Sequence, residues 1–185
     1  MTTSRNLREL AVQGLTLAGA TAAGSNVYSP RTWATWDGKY PMLLVQTPDE
    51  HGESWGREGA PAFTVVTTLR VTARAQAAAL ADDAAAAAVE EQLETMREQI
   101  KAALINYPPI MILLQQYPSF RSSIHVPRDG QSPIGEMTLD IEMEHVQGPD
   151  EFFQPPVVPL EGVDVTYQMP AGTTEPGLTI DLPQT

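Results

Sequence analysis

Five consecutive residues of this chain, Gly52-Glu53-Ser54-Trp55-Gly56, spell the G-x-S-x-G pattern in which a serine nucleophile is exposed on a sharp turn. The chemistry would be acyl transfer, with the Ser54 hydroxyl attacking a carbonyl. That geometry needs a strand running into the serine and a helix starting directly after it. Here Arg57-Glu58-Gly59-Ala60-Pro61 leads instead into an alternating, strand-like segment, and no glycine-rich oxyanion loop lies upstream. We therefore expect no catalytic residue and no enzyme, and keep a small serine hydrolase using Ser54 only as the alternative. His51, His125 and His145 lie far apart, and none has a second ligand at helical or strand spacing. All three read as surface residues, with no metal and no cofactor expected.

A second pattern with chemical potential runs from Gly135 to Val146. Met137, Leu139, Ile141 and Met143 point one way along a strand, and Glu136, Thr138, Asp140, Glu142 and Glu144 the other. A carboxylate row could imitate a glycosidase pair or a hard-cation site, but alternate residues of one strand do not face each other across a cleft. An earlier segment, Ala62 to Arg74, sets Phe63, Val65, Leu69 and Val71 on one face and places Arg70 and Arg74 between threonines on the other. Pairing of those arginines with the carboxylates across neighbouring strands would relieve the repulsion. Otherwise the acidic face is open to water, to a neighbour's arginines or to a lumen. Asp140, Glu142, Glu144, Arg70 and Arg74 are thus the candidate lumen or inter-subunit residues.

The elements that must position these residues follow from periodicity. An amphipathic helix is expected from about Arg5 to Leu17, with Ser4 as its N-cap. Val27 to Pro30 is a brief extended piece, and Tyr40 to Thr47 is an apolar strand, central or covered on both sides. Thr47 to Pro61 is polar and glycine-rich and reads as a long loop, before the strand from Ala62 to Arg74. Gln76 to about Ile105 reads as one long helix, alanine-rich in its first half. Ile110 to Leu114 is left open between helical turn and strand. A hairpin from Ser122 through Pro127-Arg128-Asp129-Gly130 to Val146 completes the domain.

The expected fold class is α+β, a mainly antiparallel sheet of about four strands packed against two helices, with a Pro-rich C-terminal arm. The domain would cover residues 1–146 and the extension 147–185, where prolines punctuate pieces too short to build a core. Twenty-three acidic against eleven basic residues give a formal charge of −12, which repels nucleic-acid backbones. The chain has no cysteine, so disulfides and thiolate metal sites are excluded. Its polar beginning lacks the pattern of a signal peptide and no apolar run reaches the ~20 residues of a membrane span, so retention in the cytosol and no membrane partner are expected.

The order of elements, carried by Tyr40 to Val45, Phe63 to Arg74, the helix around Val89 to Leu104 and Met137 to Glu144, resembles the tail terminators of lambda-like long-tailed phages. The resemblance covers roughly the first 146 residues. It implies a structural virion protein that forms a ring, a hexamer in that family, capping the tail tube, ending tail polymerisation and presenting the head-docking surface. Its implied partners are copies of itself, the tail tube protein and the head–tail connector or neck proteins, with DNA passing through the lumen without specific binding. The implied location is the head-proximal end of the tail, after assembly in the host cytoplasm. On this reading Glu50, Glu53, Trp55 and Arg57 form a loop contacting the tube, and Phe152, Phe153, Val163, Val165 and Tyr167 are contacts of the arm. Another neck or head-completion protein is the rival structural reading.

Overall fold

A computed structural model describes residues 2–29, 39–56, 60–77, 84–127, 134–153, 156, 162–168 and 174–181. Clean two-residue alternation makes the two longest strands, β3 (Phe63–Gln76) and β5 (Ile134–Gln147), which pair antiparallel along their whole length from Phe63↔Gln147 to Gln76↔Ile134. Strand β2 (Met42–Ser54) pairs with the other edge of β3, and β4 (Phe120–His125) with the other edge of β5. The two-residue β1 (Val27–Tyr28) adds parallel to β2 at Leu43 and Leu44. The sheet order is β1-β2-β3-β5-β4, five strands and mostly antiparallel, in keeping with the α+β class expected from the sequence.

Helix α1 (Ser4–Thr16) lies over β1, β2 and β3, and α2 (Ala84–Leu104) over β3, β5 and β4. The N-cap of α1 is Thr3, one residue before the expected Ser4, and its side chain accepts from the Asn6 amide. Leu7, Ala11 and Leu15 are the buried stripe of α1, while Leu17, expected to belong to it, is past the helix and exposed. Val89, Leu93, Met96, Ile100 and Leu104 recur at helical spacing and are all buried against the core face of β3 and β5. Asn106, at positive φ, closes α2, and Pro108 opens a single helical turn, α3 (Pro108–Met111), which resolves Ile110 and Met111 as helical.

Two expectations are corrected. The long helix does not start at Gln76, because β3 continues through that residue. The described α2 has 21 residues and so spans about 30 Å, from the helical rise. The stretch from Thr47 is not a loop: β2 runs on to Ser54, paired as far as Phe63. Its polarity has a physical cause, since β1 covers only Leu43 and Leu44, and Pro48 to Ser54 lie exposed at the sheet edge, where charges and a proline suit an unpaired flank. Between Gln46↔Arg70 and Asp49↔Thr68, two residues of β2, Thr47 and Pro48, oppose one of β3. This bulge inverts the alternation. Leu43 and Val45 face the helices before it; Glu50 and Gly52 do so after it, leaving Asp49, His51 and Glu53 on the opposite face.

The chain divides into two compact units, Met1–Glu151 and Phe152–Thr185. In the second, β6 (Gly162–Gln168) and β7 (Thr174–Asp181) form an antiparallel ribbon with a register shift between Val165 and Tyr167.

Gly135 marks a close approach of helix to sheet. A Cβ there would sit 2.5 Å from Val89 Cγ1, 2.8 Å from Leu93 Cδ1 and 3.1 Å from Val126 Cγ2. Gly135→Ala should therefore force α2 away from the sheet and cost about 1 to 3 kcal/mol, read as a lowered midpoint in denaturant unfolding.

Candidate functional site

The helix-free face of the sheet carries the charged residues singled out in the sequence. Its inner end is closed, since Met42, Leu44 and Thr72 are buried although they point away from the helices, so β2 is covered on both sides there. Next to it the cross-strand pairing puts Arg70 opposite Asp140 and Arg74 opposite Glu136. Arg70 grips Asp140 with two parallel bonds, Nε to Oδ1 at 2.7 Å and Nη2 to Oδ2 at 2.8 Å. Those bonds push the Arg70 pKa up, against the opposing pull of its partial burial. Both Arg74 Nε, at 2.7 Å, and Nη2, at 2.6 Å, meet Glu136 Oε2. The expected arginine–carboxylate pairing across strands is thus present at two places.

Glu142 and Glu144 are different. Glu142 accepts from Ser119 Oγ at 2.9 Å and Glu144 from Gln116 Nε2 at 3.0 Å, both neutral donors. Neither forms an ion pair among the described residues. Asp49, across β3 on the same face, adds a third carboxylate beside Thr68 and Glu142. The face therefore changes along the strands from arginine–carboxylate pairs to carboxylates held by neutral donors, with Arg121 lining the same recess as Asp49 and Glu142.

The residues expected to contact the tube separate. Glu53 and Trp55 are exposed: the Glu53 carboxylate lies 3.9 Å from His51 Nε2, and Trp55 Nε1 donates to Thr64 Oγ1 at 2.8 Å. Glu50, turned to the helix side by the bulge, accepts from Ser4 Oγ and, at 3.4 Å, from Thr67 Oγ1. A carboxylate beside the first turn of α1 also suits the positive end of the helix dipole. Arg57 lies outside the described residues. Of the arm residues, Phe153, Val163 and Val165 are exposed, and Phe152 is at the edge of exposure. Tyr167 pairs with Glu175 in the ribbon, and its side chain lies outside the described residues.

Ser54 ends β2, and its hydroxyl is engaged with its own turn, accepting from the Gly56 amide at 3.2 Å and donating to the Gly56 carbonyl at 3.4 Å. No histidine hydrogen-bonds to it among the described residues. Gly56, at φ 130°, turns the chain back towards β3 where a nucleophile elbow would start a helix. No group of three or more histidines or carboxylates among the described residues is placed to hold a metal ion, and no described helix is long and apolar enough to cross a membrane.

His51 and His125 are exposed, but His145 is fully buried, a correction to the surface reading. The signal was available: His145 continues the odd-numbered series Met137 to Met143 that faces the helices. Neither Nδ1 nor Nε2 meets a hydrogen-bond partner, and the ring lies within electrostatic reach of Glu50 and Glu151. Burial lowers its pKa, outweighing Glu50, the Met143 backbone and Glu151, which pull the other way.

A lowered folded pKa means that the unfolded chain binds the proton first. Stability should therefore be lost as pH falls below the unperturbed value of 6.5, and the loss should be complete once pH is below the folded value. Urea unfolding at pH 7.5 and 5 should show this decline, and His145→Gln should flatten it between those two pH values. No protein-family model matches this chain, and no curated protein matches it.

Proposed function

We propose that the chain is a structural assembly protein that forms a ring on the end of a phage tail tube, stops tube polymerisation and offers the surface on which the head docks. The observation that carries this reading is the sheet face away from the described helices, on which Glu142 and Glu144 meet only neutral donors while Arg70 and Arg74 are engaged with Asp140 and Glu136. Such a face suits a lumen, because fixed negative charge keeps a passing phosphate backbone from adhering. The order of elements around it, helix, strand, alternating strand, helix and acidic hairpin, is the one on which the resemblance to tail terminators rests.

In this reading the ring is a homo-oligomer, a hexamer by the resemblance. The exposed turn after β2, with Glu53 and Trp55, meets the tail tube protein, and the opposite rim meets head–tail connector proteins. The C-terminal ribbon supplies apolar contacts through Val163 and Val165, half-exposed on a two-stranded unit too small to bury them alone. Negative-stain images of the purified chain, with mass from light scattering, test the proposal. Closed rings with a central hole are expected, and a monodisperse monomer at micromolar concentration would overturn it.

A further inference from the structure

Among the described residues the sheet ends in two different unpaired edges. On one flank β2, beyond the reach of β1, exposes every residue from Pro48 to Ser54. On the other flank β4 has no strand beyond it among the described residues. Their charges are opposite. The β2 edge carries Asp49 and Glu53, neither bonded to an arginine or lysine among the described residues, and ends at Trp55, 63% exposed. The β4 edge carries Arg121, and at its start Phe120, 55% exposed, lies under the Lys101 ammonium, 5.5 Å from the ring centroid.

Arg121 faces Asp140 across β5, and that should have been its partner. Arg70 occupies both oxygens of Asp140 from the other side, so the Arg121 guanidinium is left without a carboxylate among the described residues. An exposed arginine next to an exposed phenylalanine, and exposed carboxylates next to an exposed tryptophan, are the residue types that anchor protein interfaces. Two β2 edges brought together would oppose acid to acid, and two β4 edges base to base. Only β2 against β4 is electrostatically complementary.

We propose that the β2 edge around Asp49 and Glu53 of one copy docks on the β4 edge around Phe120 and Arg121 of the next. The contact is heterologous, one surface meeting a different surface, so it repeats head to tail and closes into a ring when the rotation per copy allows. This rests on the ring reading above and names the surfaces that build the ring.

The test uses two charge-reversed full-length variants, Arg121→Glu and the double variant Asp49→Lys with Glu53→Lys, followed by light scattering and native mass spectrometry. Each alone should associate at least about tenfold more weakly than the parent. Mixed one to one they should regain rings of alternating composition, since the acidic β4 of the first meets the basic β2 of the second and the unchanged edges still match. Variants that assemble like the parent, or a mixture that stays dissociated, overturn the edge contact while leaving a ring-forming parent intact. A parent that never assembles overturns the ring reading itself. Circular dichroism checks folding, and should Arg121→Glu fail to fold beside Asp140, the neutral Arg121→Gln takes its place. Its full-strength assembly would equally overturn the proposal.

Discussion

Strand β3 is hydrogen-bonded along both edges, to β2 on one side and β5 on the other, and the other elements of the first unit are arranged around it. Val65, Leu69, Val71, Ala73 and Ala75 on its core face must be removed from water, and the two helices are what remove them. Small residues at the Ala73–Ala75 end, with Gly135 opposite, let α2 come close; larger ones at Leu69 and Val71 fill the middle of the core. The described helices cover one face, and the other is closed only around Met42, Leu44 and Thr72. The rest of that face carries charge, and its chemistry is consequently decided by cross-strand neighbours.

That dependence explains which parts of the fold could be read from residues alone. Phe63 to Arg74 and Gly135 to Val146 have one buried and one polar face, and period two is visible in such segments. The helix around Val89 to Leu104 was legible for the same reason, through its 3.6-residue spacing. The second half of β2 was not legible, because the bulge interrupts the alternation at Pro48 and an exposed edge has no apolar set to reveal a period. The boundary between β3 and the following helix was obscured by alanine, which is compatible with either element.

The candidate site was legible to a similar depth. Alternation placed Asp140, Glu142 and Glu144 on one face and made Arg70 and Arg74 their natural neighbours, but register is a tertiary property. Only the pairing of β3 with β5 assigns Arg70 to Asp140 and Arg74 to Glu136 and leaves Glu142 and Glu144 to serine and glutamine donors. Arg121 carried no signal at all, since an arginine on a short strand acquires meaning only when its cross-strand carboxylate proves to be occupied. His145 could have been placed by counting two residues beyond Met143; its burial without a hydrogen-bond partner could not.

The bulge at Thr47 and Pro48 decides how β2 answers a change in chain length. Removing one of the two would leave the other opposite Leu69 and keep Asp49 opposite Thr68, so no face would change; removing both would put Asp49 opposite Leu69 on the helix side and swing Glu50 away from Ser4, exchanging the faces of everything up to Ser54 in a single step. The bulge thus holds one residue in reserve, and Thr47 and Pro48 together set the phase of the strand that follows them.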